Sequence, residues 1–308
     1  FTGNYVQTSG EKAYGGAIFN QASSSGSATI NISKGDFTGN YVQTSGEKAY
    51  GGAIFNQASS SGSATINISK GDFTGNYVQT SGEKAYGGAI YNGAISSNAP
   101  SYNAGAVITL GGNTFTGNYV QVGSTVTPNS IYNAGVINIS NGATVTVNDG
   151  WQSFDDGTNA GQLIMGSGST LNMNIANGTI QADSLGELTK NGTINATFDI
   201  DFTNNKADTI STSAVTLSDS SGTVTINGFN FINGTSGINA NTKIQLLKTQ
   251  AGGLQLALSA AAAAQLPTDE FVIGTTDDVT TYDSIAAATN WATDVYKKHL
   301  RSEERRVG

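Results

Sequence analysis

Apolar and polar residues alternate along much of this chain with a period of two. That period predicts β-strands, because successive side chains of a strand point to opposite faces. Gly, Ser and Asn residues separate the alternating segments and predict turns between short strands. The clearest alternating pairs are Ile30/Ile32, Ile66/Ile68, Ile108/Leu110 and Ile137/Ile139.

The alternating segments belong to a repeat of 36 residues. The sequence FTGNYVQTSGEKAYGGAIFNQASSSGSATINISKGD occupies Phe1–Asp36 and recurs unchanged at Phe37–Asp72. A third copy starts at Phe73 and stays identical through Ile90, and a fourth starts at Phe115 with FTGNYVQ. A fixed period of this size is typical of a solenoid, in which each repeat buries its apolar face on the next.

Four positions persist in the diverged third and fourth copies, so we expect equivalent side chains to lie above one another in columns. Asparagine amides stacked in this way hydrogen-bond along the stack. The predicted structural ladder consists of Phe1, Phe37, Phe73 and Phe115; Asn4, Asn40, Asn76 and Asn118; Ile18, Ile54, Ile90 and Ile131; and Asn20, Asn56, Asn92 and Asn133.

These columns predict an all-β fold, a parallel β-helix, for residues 1–150. The repeat is too long for one small three-sided coil, and we predict two coils of roughly 18 residues per copy. Ser9–Glu11 and Ser23–Gly26 are predicted turns. The pair Gly15-Gly16 predicts a tight corner, because glycine tolerates a positive φ.

The alternation continues without obvious repeats from residue 151 to 253, most clearly over Ile194–Phe202. Asn-Gly turn pairs start at Asn177, Asn191, Asn227 and Asn233. They are compatible with hairpins, but continuity with the repeats favours further coils of the β-helix.

Residues 254–300 differ from the rest of the chain and are predicted to be a junction. Ala260–Ala264 is a run of alanines, and Ser284–Leu300 has apolar residues at helical spacing. Each of these segments fits either a short helix or a disordered segment.

The composition excludes several classes of protein. The chain has 308 residues, 40 glycines, no cysteine and 12% charged residues. Without cysteine there is neither a disulfide framework nor a thiolate metal site, a composition compatible with export. No apolar run approaches the roughly 20 residues that a membrane helix needs.

Both ends of the chain suggest a fragment. Phe1 lies inside a repeat, so we expect the natural N-terminus and its signal peptide to be missing. Arg301–Gly308 (RSEERRVG) holds all three arginines and resembles the translation of a sequencing adapter; a genuine basic tail is the alternative. Without it the chain has 11 basic and 20 acidic residues, a net charge of −9. This acidity predicts that neither nucleic acid nor anionic membrane is a partner.

The candidate catalytic residues are few. Asp199 and Asp201 lie two apart in an alternating strand, a carboxylate pair of the kind that hydrolyses glycosides. We expect both to face water, because their neighbours Phe198, Ile200 and Phe202 form the inward set. Asp155-Asp156-Gly157 is a predicted turn with a calcium loop as the alternative. A catalytic triad needs a histidine base. The single histidine, His299, lies two residues before Arg301, and the chain has no G-x-S-x-G motif, so we interpret His299 as incidental. We therefore predict no enzyme, no catalytic residue, no cofactor and no metal.

The aromatic residues allow two interpretations. Trp151 and Trp291 are core or capping residues, or else platforms for sugar rings. The recurring rings form an exposed binding stripe or are buried in the stack. They are Tyr5, Tyr14, Phe19, Phe55, Tyr91 and Tyr132.

The alternation of G-G-A-I (Gly15–Ile18, Gly51–Ile54, Gly87–Ile90) with F-x-G-N (Phe1–Asn4 and its copies) resembles the repeats of polymorphic outer-membrane proteins and of autotransporter passengers in Gram-negative bacteria. Phe198–Phe231 resembles the end of such a passenger. The resemblance covers about residues 1–250. It implies a right-handed parallel β-helix, exported through a C-terminal β-barrel that this chain lacks.

From this resemblance we expect a non-enzymatic adhesin on the cell surface or outer membrane, or secreted. Its expected partners are host-cell glycans or surface proteins, with membrane contact only through the missing barrel. One alternative is a carbohydrate-active β-helix enzyme with its active site in a missing N-terminal part. Another is a passive stalk.

Overall fold

The fold is a stack of β-strands that pair mostly in parallel, and the described residues include a single short helix. This computed structural model describes residues 1–96, 99–218, 222–234, 243–249, 253–265 and 272–276. It confirms the predicted all-β parallel β-helix. The predictions for Ser284–Leu300, Trp291, His299 and Arg301–Gly308 lie outside the described residues.

The first two copies of the repeat contain the strands β1 (Tyr5–Thr8), β2 (Lys12–Tyr14), β3 (Ile18–Ala22), β4 (Ser27–Ile32), β5 (Phe37–Thr38), β6 (Tyr41–Thr44), β7 (Lys48–Tyr50), β8 (Ile54–Ala58) and β9 (Ser63–Ile68). The third and fourth copies contain β10 (Gly71–Thr74), β11 (Tyr77–Thr80), β12 (Lys84–Tyr86), β13 (Ile90–Ser96), β14 (Ala99–Ser101), β15 (Ala106–Leu110), β16 (Asn113–Thr116), β17 (Tyr119–Val122), β18 (Thr125–Pro128), β19 (Ile131–Asn133) and β20 (Val136–Ile139).

The non-repetitive part contains β21 (Thr144–Val147), β22 (Trp151–Ser153), β23 (Gln162–Met165), β24 (Ser169–Asn174), β25 (Ala182–Ser184), β26 (Glu187–Lys190), β27 (Gly192–Asp201), β28 (Lys206–Ala207), β29 (Thr209–Ser211), β30 (Ala214–Leu217), β31 (Thr223–Phe231), β32 (Lys243–Lys248), β33 (Gln255–Leu258), α1 (Ala260–Gln265) and β34 (Val272–Thr276).

Equivalent strands of successive coils form six sheets, named here by a recurring residue. The two longest carry the main core: the phenylalanine sheet (β5, β10, β16, β21, β24, β27, β31, β33) and the isoleucine sheet (β4, β9, β15, β20, β23, β26, β30). The others are the tyrosine sheet (β1, β6, β11, β17, β18), the lysine sheet (β2, β7, β12), the asparagine sheet (β3, β8, β13, β19, β22) and the terminal sheet (β25, β29, β32, β34).

One coil of the β-helix is one complete copy of the repeat. Tyr41 pairs directly with Tyr5 on one side and with Tyr77 on the other, each 36 residues away. The prediction of two coils per copy is therefore wrong. The coil is long because the tyrosine and lysine sheets pack on each other as a side arm, with a small core of Val and Ala such as Val42, Val78 and Ala49.

The length of a coil varies along the chain. Hydrogen-bonded asparagine side chains of adjacent coils lie 36 residues apart in the first copies and 42 residues apart between Asn76 and Asn118. The separation falls to 26 residues at Asn172 and 23 at Asn195. It is larger again where Ile194 pairs with Val224 and Val224 pairs with Leu256. The side arm ends where β18 folds back antiparallel on β17.

The alternative prediction of consecutive hairpins at the Asn-Gly pairs is wrong, because β24, β27 and β31 pair in parallel. Asn227 lies inside β31, where the register shifts opposite Ala196 and Thr197. It is therefore a bulge, whereas Asn233 has a φ of +61° and lies in a turn. The alanine run forms α1, with Ala262 buried.

The predicted glycine corner is observed between the lysine and asparagine sheets. Gly15 has a φ of +55°, and its equivalents behave alike. The second glycine of each pair lets the backbones of adjacent coils lie close together. A Cβ on Gly52 would lie 2.0 Å from the carbonyl oxygen of Gly88 and 2.5 Å from that of Tyr77. Any side chain here would push neighbouring coils apart.

We therefore predict that Gly52→Ala destabilises the protein by about 3 kcal/mol, the upper range for overpacking. Chemical denaturation followed by circular dichroism measures the effect. Gly10→Ala is the matched control, because its Cβ would meet only the Thr8 hydroxyl at 3.4 Å. Equal stability of the two variants would contradict the proposed role of the corner.

Candidate binding surface

The predicted phenylalanine column lies inside the β-helix. Neighbouring rings of Phe1, Phe37, Phe73 and Phe115 stack with centroids 4.6 Å apart, and the last three are fully buried. The predicted isoleucine column stands in direct register, from Ile18 and Ile54 through Ile90 to Ile131. These residues form the apolar core and take no part in a surface site.

The asparagines after each phenylalanine form a hydrogen-bonded ladder at a buried corner. The side-chain amide of Asn40 donates to Oδ1 of Asn76 at 2.9 Å and to the carbonyl of Phe1 at 3.0 Å. The backbone N–H of Asn40 also donates to Oδ1 of Asn76, at 3.0 Å. Asn76 makes the same contacts to Asn118. Oδ1 of each asparagine therefore accepts both the backbone N–H and the side-chain amide of the corresponding asparagine in the adjacent coil.

Asp149 ends this ladder and was not predicted from the sequence. Its Oδ2 accepts from the backbone and side chain of Asn118 at 3.0 and 3.1 Å and from the Ser130 hydroxyl at 2.8 Å. Its Oδ1 accepts from the Gly117 N–H at 2.7 Å. The signal in the sequence is weak, because Asp149 follows Val147 by two residues whereas Asn118 follows the equivalent Phe115 by three.

A second ladder joins the asparagine sheet to the isoleucine sheet. The amides of Asn20, Asn56 and Asn92 each donate to the next asparagine at 2.8 to 3.0 Å, ending at Asn133. Asn56 also donates to the carbonyl of Ala64 at 3.0 Å. All sixteen predicted ladder positions thus lie in columns, and their role is structural.

Trp151 continues the isoleucine column. It pairs with Ile131 and is fully buried. The structure therefore places Trp151 in the core, which is one of its two predicted roles. Its ring is buried and is not available to stack on a sugar.

The expectation that Asp199 and Asp201 face water is wrong. Asp199 is fully buried and Asp201 is 7% exposed. Asp199 accepts from the Gly178 N–H at 2.6 Å, and Asp201 accepts from the side chain of Asn204 at 2.8 Å. Both point away from the apolar core as predicted, but the hairpin β27–β28 and the chain before β25 cover that side. Both carboxylates hold loops, which sequence alternation alone does not reveal.

Two further buried aspartates occupy the same corner of the later coils. Asp183 accepts from the Trp151 N–H at 2.6 Å, and Asp208 accepts from the N–H groups of Gln181 and Asp199 at 2.8 and 2.6 Å. Burial raises the pKa of Asp183 to about 7. Burial, with the nearby charges of Asp199 and Asp183, raises the pKa of Asp208 to about 8. These carboxyls therefore titrate near neutral pH.

Asp155 and Asp156 form the predicted turn. Asp155 accepts from the Gly157 N–H at 2.8 Å, and Asp156 accepts from the N–H groups of Thr158 and Asn159 at 2.9 and 2.8 Å. Within the described ranges, no group of three or more His, Cys, Asp or Glu side chains is placed to hold a metal ion. No helix among the same residues is long and apolar enough to span a membrane.

The recurring aromatic residues divide into two sets. Tyr50, Phe55 and Tyr91 are buried in an aromatic cluster between the lysine and asparagine sheets. Tyr5, Tyr41, Tyr77 and Tyr119 instead lie on the outer side of the tyrosine sheet, where they alternate with inward Val residues. Their rings stack at 5.0, 4.8 and 5.0 Å, with interplanar angles of 6°, 3° and 1°.

A glutamine column runs beside these tyrosines. Together we call the two columns the tyrosine–glutamine face: Tyr5, Tyr41, Tyr77 and Tyr119 with Gln7, Gln43, Gln79 and Gln121. A groove of about 400 Å³ follows its edge and crosses three coils. The groove is lined by Gln7, Thr8, Ser9, Gln43, Thr44, Ser45 and Ser81.

The outer side of the phenylalanine sheet has a different character. Its polar side chains hydrogen-bond to one another from coil to coil: Asn172 to Thr146 at 3.2 Å, Asn195 to Asn172 at 2.9 Å and Asn174 to Asn148 at 3.1 Å. Those groups are already engaged, so the tyrosine–glutamine face is the better candidate for binding.

Compared with protein-family models, curated proteins and solved structures, the chain matches none.

The ladder geometry makes a specific prediction for Asn76→Asp. A carboxylate has no proton to donate to the Phe37 carbonyl or to Oδ1 of Asn118, which the amide contacts at 2.9 Å. We expect a loss of about 2 kcal/mol, typical of unsatisfied buried groups, measured by chemical denaturation. Asn31→Asp on the exposed side of β4 is the control and should change stability little.

The buried aspartates make stability depend on pH. A carboxyl whose pKa rises on folding binds its proton more tightly in the folded state, so stability falls as pH rises. The contribution of Asp183 and Asp208 is complete below their unfolded pKa of 3.8 and is lost as pH rises through about 7 and about 8. Denaturation at pH 5 and pH 9 should show the decrease. Asp208→Asn should reduce the slope between these pH values, and an unchanged slope would contradict this assignment.

Proposed function

We propose that this protein is the non-enzymatic, adhesin-like passenger of an autotransporter (type V secretion) system, located at the outer membrane and cell surface or secreted. The observation that carries the proposal is the tyrosine–glutamine face, which presents the same two side chains in each of four coils. The GGAI and FxGN repeats, which resemble those of known passengers, support the route of export.

A repeated surface favours binding by avidity. Each row of the face offers one phenol and one amide, which bind weakly on their own. Several rows acting on one repetitive partner raise the apparent affinity without any new kind of contact. This mode of binding needs no deep pocket.

The buried carboxylates favour a structural protein over an enzyme. Asp149, Asp183, Asp199 and Asp208 each accept backbone N–H groups at corners between coils. A carboxylate used in this way holds the coil and is closed to a substrate. The partners that we propose are host-cell glycans or surface proteins, and the acidic chain disfavours nucleic acid.

The repeats allow a direct test by changing copy number. Removing residues 37–72 joins Asp36 to Phe73, which recreates the natural Asp-Phe junction and leaves the coils in register. Inserting one further copy lengthens the rod in the same way. Labelled full-length protein, the deletion and the insertion are added to cultured epithelial cells, and bound protein is measured by flow cytometry.

We expect saturable binding that weakens with the deletion and strengthens with the insertion. Circular dichroism checks that all three proteins are folded. Absence of binding would contradict the adhesin and favour a passive stalk. Release of reducing sugars from cell-surface polysaccharide by the full chain would instead favour a carbohydrate-active enzyme.

A further inference from the structure

We propose that the tyrosine–glutamine face binds a linear, uncharged polysaccharide that lies parallel to the axis of the β-helix, with successive sugars on successive coils. This inference rests on the proposed adhesive function and names its ligand class. The contacts are hydrogen bonds from tyrosine hydroxyls and glutamine amides to sugar hydroxyls.

The first argument is that these polar groups are uncommitted. Within the described part of the chain, the side chains of Gln7, Gln43 and Gln79 make no hydrogen bond to protein, and neither do the hydroxyls of the tyrosines beside them. Only Gln121, in the last row, donates to a backbone carbonyl, that of Gly123 at 2.9 Å. By contrast, Gln21 on the asparagine sheet donates to Gln57 at 3.1 Å. The face thus has both donors and acceptors available for a ligand.

The second argument concerns how the tyrosines are exposed. Because the rings of Tyr41 and Tyr77 stack on each other and on their neighbours, each covers the flat faces of the next. A sugar ring that packs on an aromatic side chain needs one of those faces. Tyr41 and Tyr77, which are stacked on both sides, therefore present their edges and hydroxyls, and the contacts they offer are polar.

The third argument is periodicity. The ring spacing of 4.8 to 5.0 Å repeats the same pair of groups once per coil. One sugar of an extended polysaccharide advances by a similar length, so consecutive residues meet equivalent rows. The groove along this face is lined from Gln7 in the first coil to Ser81 in the third, so it runs in the direction that such a chain would take.

The fourth argument is charge. None of the residues that form the face or line its groove is charged. The nearest repeated charges, in the turn that follows, are of both signs, and Lys48 lies 3.8 Å from Glu83 of the next copy. An anionic polysaccharide or a strongly charged protein would lose hydration here without gaining an ion pair. The neutral face complements a neutral ligand.

Isothermal titration calorimetry on the full chain tests this inference. The probes are oligosaccharides of neutral β-glucan, α-mannan and galactan at two lengths, disaccharide and hexasaccharide, with hyaluronan as the anionic comparison. We expect at least one neutral hexasaccharide to bind, and to bind at least about tenfold more tightly than its disaccharide because it meets several rows.

Two double variants separate the contacts. Gln43→Ala with Gln79→Ala should weaken hexasaccharide binding about tenfold, as expected for the loss of two neutral hydrogen bonds. Tyr41→Phe with Tyr77→Phe should have a similar effect, since it removes the hydroxyls and keeps the stacked rings. Gln21→Ala with Gln57→Ala is the matched control and should stay within about twofold of the parent, given that the pair lies on another sheet.

Several results would overturn the inference: binding of hyaluronan alone, no binding of any neutral probe, or full affinity in the Tyr→Phe variant, which would indicate ring stacking. If cell binding persists in the Gln43→Ala/Gln79→Ala variant or after enzymatic removal of cell-surface glycans, this inference fails while the adhesive function stands. If the parent protein fails to bind cells yet binds a neutral hexasaccharide, the adhesive function fails and the face remains a glycan site.

Discussion

In-register parallel pairing of identical strands is the interaction on which the rest of this molecule depends. It places Phe73 between Phe37 and Phe115, and it brings each corner asparagine within reach of the next. A buried amide without a partner is costly, and in both ladders the adjacent coil supplies one. A shift of one residue would turn every inward side chain outward, so the asparagine ladders and the apolar columns enforce the same register. The surface columns, including the proposed binding face, inherit their regular spacing from it.

The sequence was sufficient to predict the architecture, because the repeat, the period of two and the glycine corner are local signals that agree with one another. The length of a coil was not predictable in the same way. Val6 and Ala13 read as ordinary core residues, and nothing local shows that they form a separate small core in a side arm. The alternation predicts the correct side of the strand for Asp199 and Asp201, but their burial depends on a hairpin and a distant loop. Such coverage is a tertiary property.

The two outer surfaces show how similar polar residues serve different ends. On the phenylalanine sheet, Asn172 and its neighbours hydrogen-bond to one another from coil to coil. On the tyrosine sheet, the side chains of Gln7, Gln43 and Gln79 make no such hydrogen bonds within the described part of the chain. A chain rich in Thr, Asn and Gln therefore has one surface whose polar side chains bond to one another and one whose glutamines do not. Composition alone does not distinguish them.

Asp149 gives the first asparagine ladder a direction. Every amide from Asn4 to Asn76 donates toward the following coil, and backbone N–H donors fix this orientation. Because these amides are oriented alike, the donor end of the ladder lies at Asn118, where the carboxylate of Asp149 accepts. The column is thus the side-chain counterpart of a helix macrodipole neutralised by an anion at its positive end. The ladder has a donor end and an acceptor end, so a further coil added at Asn4 and one added at Asn118 would meet different hydrogen-bonding groups.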